Sequence, residues 1–141
     1  MTTIVKNGRF LDHDPLALSF KTLEDGKTDA ALDLSSDVDP VEIWHRVRWA
    51  PALRIHFPSS ADGRGFSIAQ ALRKAGYRGH LRAFGHVLAD QYPLALRSGF
   101  DDVEISDELA ARQPEHQWSD AYGRIQGGYL ERLQAGVKRA A

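Results

Sequence analysis

Four short stretches of this chain set one charge between two apolar neighbours: Leu32-Asp33-Leu34, Leu53-Arg54-Ile55, Leu81-Arg82-Ala83 and Val103-Glu104-Ile105. A period of two belongs to a strand with one face buried. Laid in register, these strands put Asp33, Arg54, Arg82 and Glu104 side by side on one face. Leu32, Leu34, Leu53, Ile55, Phe57, Leu81, Ala83, Val103 and Ile105 then form the other face, fit for covering by helices.

Between the strands the period lengthens. Asp37-x-Asp39-Pro40 supplies capping acids and a first-turn proline for a helix over Pro40 to Arg48. Ile68, Ala71, Leu72 and Ala75 fall at helical spacing, with Gly76 where a C-terminal glycine cap belongs. A further helix runs from Asp90 to Arg97 and ends at Gly99, with Pro93 tolerated in its first turn. Ser106-Asp107-Glu108 caps a short helix, and Tyr122 to Val137 is helical by its apolar spacing, with a weak point at Gly127-Gly128. At the other end, Asn7-Gly8 separates Ile4 to Lys6 from Arg9 to Leu11, a strong short-range hairpin signal. Leu16 to Phe20 reads as another strand, and Glu24 to Lys27 as a turn. Gly76-Tyr77 ahead of Leu81-Arg82 and Gly99-Phe100 ahead of Val103-Glu104 repeat one helix-to-strand unit.

Short alternating units predict a parallel β/α architecture. A doubly wound sheet would read as continuous apolar runs, whereas these strands alternate. The expectation is an α/β fold resembling half of a β/α barrel and preceded by an N-terminal β-hairpin. Its helices lie on one side, and its polar face turns to a pocket, a second subunit or a partner, or closes as a structural row of ion pairs. The chain of 141 residues divides into a hairpin region (1–28), a β/α core (29–118) and a C-terminal helix (119–141) within one domain.

Composition narrows the chemistry. With 43% hydrophobic and 26% charged residues the chain is neither disordered nor collagen-like. It has no cysteine, which excludes disulfides, a thiolate nucleophile and Cys-ligated zinc or iron–sulfur clusters. No apolar run approaches a membrane span and the first residues are too polar for a signal peptide, so a cytoplasmic protein is expected. A net charge of −1 hides an asymmetry: residues 1–45 hold 4 bases against 9 acids, 46–100 hold 9 against 2, and 101–141 hold 5 against 8. A middle this basic points to an anionic ligand or an acidic partner surface, or to neutralisation by the acidic flanks. The pI near 6.6 speaks against duplex nucleic acid.

Gly63-Arg64-Gly65-Phe66-Ser67-Ile68 begins like a dinucleotide fingerprint, but Ile68 occupies its third glycine position and the next strand offers no acid for a ribose. What remains is a glycine-bearing loop entering a helix, where Gly63, Arg64, Gly65 and Ser67, helped by Arg82, could hold a small oxyanion such as sulfate, sulfite or phosphate. Ordinary helix-start glycines are the alternative. Asp62, Asp90 and His56 are the candidate catalytic groups, with Asp62 and either His56 or His86 as an acid–base pair. Gln91 joins Asp33, Arg54, Arg82 and Glu104 as a candidate partner-facing residue. Glu42-x-x-His45 is half of a di-iron pattern without its second half, so no metal is expected.

The run Arg54-Ile55-His56-Phe57-Pro58-Ser59-Ser60-Ala61-Asp62-Gly63-Arg64-Gly65-Phe66-Ser67, with Gly79-His80-Leu81-Arg82-Ala83, Val87-Leu88-Ala89-Asp90-Gln91 and Gly99-Phe100-Asp101, resembles an uncharacterised bacterial family, a domain of unknown function. Members of that family are commonly encoded beside assimilatory sulfite reductase and described as oxidoreductases of sulfite reduction. Where this chain has His86 the family usually carries Asp or Asn, and the helix after Asp90-Gln91 usually lacks a proline such as Pro93. The resemblance implies a context in sulfur assimilation and supplies no catalytic residues. Sulfite reduction needs a cofactor to deliver electrons. With no cluster ligands and no dinucleotide fingerprint, no cofactor is expected. The leading expectation is a non-redox accessory protein that binds a small oxyanion or docks on sulfite reductase or another sulfate-assimilation protein. An oxidoreductase or lyase with an unrecognised cofactor, and an interaction scaffold pairing with a second copy, are the alternatives.

Overall fold

The computed structural model of the chain describes residues 1–24 and 29–126. Seven strands form one sheet: β1 (Thr2–Lys6), β2 (Arg9–Leu11), β3 (Lys21–Thr22), β4 (Leu32–Leu34), β5 (Ala52–Phe57), β6 (His80–Gly85) and β7 (Asp102–Ser106). Five α-helices accompany them: α1 (Pro40–Val47), α2 (Arg64–Ala75), α3 (Tyr92–Ser98), α4 (Asp107–Arg112) and α5 (Glu115–Gln126). The strand order is β2-β1-β7-β6-β5-β4-β3. Strands β3 to β7 run parallel, each beside its predecessor, which is the singly wound order of a β/α barrel left open. The hairpin β1–β2 closes one edge, with β1 antiparallel to β7. The fold is α/β as expected, and the sheet does not close.

Local chemistry accounts for the boundaries. Asn7 and Gly8 both take positive φ (53° and 77°), the conformation a two-residue hairpin turn demands. Asp39 caps α1 through its carboxylate on the Val41 N–H (2.9 Å), and Pro40 follows in the first turn. The glycine–aromatic repeat is one helix stop used twice. Gly76 and Gly99 sit at φ 111° and 108°, and the next N–H, of Tyr77 or Phe100, reaches back to Leu72 or Ala95. Both aromatic rings are buried.

All nine residues assigned to the apolar face are at most 1% exposed, and they pack with Phe66, Ile68, Ala69, Leu72, Ala95 and Trp118 of the helices. Three expectations change. Leu16 to Phe20 is not a strand; the pairing falls on Lys21–Thr22. The helix expected from Asp90 divides into a 3-10 turn (Ala89–Gln91) and α3, because Pro93 belongs in a first turn. The last helix begins at Glu115 rather than Tyr122, while the stretch on to Val137, with Gly127-Gly128, lies outside the described residues, as does most of the Glu24–Lys27 turn.

Candidate functional site

The row of charges exists, with a shifted last member. Backbone register aligns Asp33, Arg54, Arg82 and Asp102, and places Glu104 opposite Phe84. A slip of two residues keeps every side chain on its face, so Glu104 still belongs to the row. Arg54 forks onto Asp33 (Nε–Oδ1 2.6 Å, Nη2–Oδ2 2.9 Å) and donates to Glu104 at 3.1 Å. Its guanidinium lies 4.5 Å from the ring centroids of both Phe20 and Phe84. Arg82 forks onto Asp102 (2.9 Å twice) and onto Asp14 (2.8 Å twice), and comes within 3.4 Å of Glu104. His80 Nε2 sits 2.9 Å from the Asp102 carboxylate, without an aligned N–H. Thr2 donates to Glu104 at 2.9 Å.

Two arginines therefore face four carboxylates. Arg82 has no exposed surface, because the segment after β2 crosses the face with Asp14 on Arg82 and Phe20 on Arg54. Burial works to raise the Asp102 pKa, but His80 and Arg82 outweigh it and hold the carboxyl below its ordinary value. Burial also opposes the Arg82 charge, and the Asp14 and Asp102 bonds outweigh it, so its pKa is raised. The Arg82 hydrogen bond brings Asp14 down to about 2. An added oxyanion would have to displace Asp14 and would still meet more acid than base.

The loop ahead of α2 carries its own anion. Asp62 accepts from the Arg64 backbone N–H (3.1 Å) and forks onto its guanidinium (Nε 2.9 Å, Nη2 2.7 Å). Arg64 Nη2 also donates to Ser36 at 3.0 Å, although its side chain remains 60% exposed. The Arg64 hydrogen bonds hold Asp62 well below the usual carboxylate range. Gly63 lies at the N-cap position without strain, and Ser67 is exposed on α2. Gly65 has a packing reason instead: a Cβ there would clash with the tip of the Phe57 ring.

The strands end at a rim where α/β sheets place ligands. A cleft of about 420 Å³ lies there between Thr22, Asp33, Ser35, Val38, His56 and Phe84. A second, of about 200 Å³, shares His56 and Phe84 and adds His86 and Ser106. His56 is exposed and packs on Phe84 (5.7 Å between centroids). No hydrogen bond or ion pair joins Asp62 to His56 or His86. Asp90 is exposed in the 3-10 turn, and Gln91 ties two rim loops together by accepting from Leu88 N–H (2.9 Å) and donating to Ser60 C=O (2.8 Å). Among the described residues no three His, Cys, Asp or Glu side chains gather as a metal site, and no helix is long and apolar enough to cross a membrane.

Thr2, Asp14, Phe20, His80 and Asp102 are the members of the polar network that sequence reasoning missed. His80 and Asp102 had a signal, since His80 alternates with Arg82 across Leu81 and Asp102 with Glu104 across Val103. No curated protein and no solved structure matches the chain. Residues 31–135 match a family profile described as "Bacterial protein of unknown function (DUF934)". The match takes in β4 through α5 and so the whole parallel part of the sheet after β3, and the chain belongs to the DUF934 family of bacterial proteins.

Proposed function

We propose that this chain is a non-redox accessory protein of assimilatory sulfite reduction, working in the cytoplasm by docking on sulfite reductase or another sulfate-assimilation protein. The sulfur context comes from the resemblance to a family encoded beside that enzyme. One observation favours docking over capture of a small oxyanion. The three arginines best placed for an anion, Arg54, Arg64 and Arg82, are already forked onto Asp33, Asp62, Asp14 and Asp102 of the same chain. Arg–carboxylate forks are strong and directional, so sulfite would have to compete with built-in partners.

The deciding experiment mixes the purified chain with assimilatory sulfite reductase and measures complex formation by calorimetry and sedimentation. A complex with a defined stoichiometry is expected. Heat and sedimentation identical to the sum of the separate proteins would overturn the reading.

The rim cleft favours a second reading, a small-ligand site, because His56 and Phe84 line both of its lobes. Sulfite or sulfate titrated into the 15N-labelled chain would then shift the resonances of His56, Phe84 and His86. A silent titration would remove that reading and leave docking.

A further inference from the structure

The basic residues of the middle third are not equally occupied. Arg54, Arg64 and Arg82 are forked onto carboxylates, and Arg73 is held by Asp101 together with the carbonyls of Tyr77, Gly79 and Gly99. Arg48, Lys74 and Arg78 have no carboxylate partner among the described residues. All three are exposed, and all three belong to the end of the molecule where the parallel strands begin, opposite the rim cleft.

The same end exposes Trp49, at 69%, while Val41, in the first turn of α1, is 82% exposed. The Arg48 guanidinium lies 4.8 Å from the Trp49 ring centroid and 5.9 Å from that of Trp44. Beside them a shallow groove of about 170 Å³ runs between α1 and α2, lined by Pro40, Val41, Trp44, Ala71 and Ala75. Lys74 adjoins that groove in sequence. The Arg78 segment is tied to the Trp49 segment by Tyr77 Oη donating to Ala50 C=O (2.8 Å) and His80 N–H donating to Pro51 C=O (3.2 Å). An apolar groove flanked by an exposed tryptophan and uncompensated cations has the composition of a binding hot spot.

We infer that this surface docks an acidic segment of a partner protein, with an apolar side chain of that segment seated in the α1–α2 groove beside Trp49. Charge complementarity selects the occupant: three cations without a carboxylate partner among the described residues attract carboxylates and repel a basic surface. The chain's own residues 127–141 do not answer to that description, since they carry Arg132, Lys138 and Arg139 against one acid, Glu131. The inference rests on the docking reading above and names the surface it would use.

A short synthetic peptide of glutamates flanking one leucine serves as the probe, titrated at low salt into the full 15N-labelled chain. The expected shifts fall on the Trp49 indole N–H and on the backbone N–H groups of Arg48, Lys74 and Arg78. Affinity should fall by about tenfold in an Arg48→Glu, Arg78→Glu double variant, and again on raising the salt. Trp49→Ala should weaken the leucine peptide without affecting one of glutamates alone. These side chains are exposed, so the variants stay folded, which circular dichroism checks. Shifts gathered at the His56 rim, no shifts, or equal affinity in the double variant would overturn the surface. A concentration-dependent dimer lost in Trp49→Ala would assign the face to a second copy and overturn it too. The same variants against sulfite reductase separate the two proposals. Unaltered binding of the double variant removes the surface and leaves docking, whereas a peptide bound here with no affinity for the reductase removes that partner and leaves the surface.

Discussion

Asp14 and Arg82, 68 residues apart in the chain, meet in a fork whose two Nη–Oδ distances are both 2.8 Å. The guanidinium has no exposed surface and the carboxylate side chain is 39% exposed, so the pair stands at the boundary between solvent and the sheet. Asp14 thereby fastens the segment after β2 across the polar face, and Phe20 repeats the attachment over Arg54. Half of a β/α barrel leaves that face uncovered, and here the chain covers it with its own backbone.

Removing the buried cation should be costly. Arg82→Met leaves Asp102, itself without exposed surface, beside His80 alone. A loss of roughly 3–5 kcal/mol is expected, the range for a buried ion pair deprived of one member. A denaturant titration measures it. A loss of about 1 kcal/mol or less would mean that water screens the face and that it behaves as an open site.

Acid should loosen the Asp14 attachment. Its folded pKa, about 2, lies below the ordinary aspartate value because Arg82 hydrogen-bonds the carboxylate. A depressed folded value means that the contribution is complete above about pH 4 and disappears as pH falls through about 2. Since the carboxylate is partly exposed, its contribution is on the order of 1 kcal/mol after screening. Urea titrations of the native chain and Asp14→Asn should differ by that amount at neutral pH and converge toward pH 2. A difference that persists unchanged at pH 2 would contradict the ion-pair origin.

Two glycines in helices should respond with opposite signs. Alanine is the better helix former by about 1 kcal/mol. At Gly123, on α5, a Cβ meets nothing within 4 Å, so Gly123→Ala should stabilise by about 0.5–1 kcal/mol. At Gly65 the added Cβ clashes with the tip of the Phe57 ring, and the overpacking should reverse the sign to a loss of about 1–3 kcal/mol. Thermal or urea unfolding of the two variants provides the check.

The Asp62 carboxyl reports on its partner. Arg64 holds it well below the ordinary carboxylate range through a side-chain fork and a backbone N–H. In Arg64→Ala the midpoint should rise toward the ordinary value, followed by the 13C shift of the Asp62 carboxyl. The remaining backbone bond should keep it from rising all the way. An unaltered midpoint would show that the fork does not persist in solution.

Much of the fold was legible because its signals are local. The period-two strands placed all nine apolar side chains on the helix-covered face, Asn7-Gly8 specified the hairpin turn, and Gly76 and Gly99 marked both helix stops. The polar row was legible as a face but not as a set of partners. Alternation is blind to a slip of two residues, so nothing in Val103-Glu104-Ile105 could say that Asp102 would stand opposite Arg82. The candidate anion loop was legible by composition alone. Whether its arginine would be free or already held by Asp62 depended on the turn that brings them together.

By itself, then, the sequence determined the strand faces, the turns and caps, and the burial of one side of the sheet, all of which follow from backbone geometry over a few residues. Tertiary structure alone decided which carboxylates Arg54 and Arg82 received. It brought Asp14 onto Arg82 and Phe20 onto Arg54, and it left Arg48, Lys74 and Arg78 without such partners among the described residues. The reason is physical: a charge carries no periodicity that identifies its partner, and a contact across 68 residues exists only once the sheet has brought the two segments together.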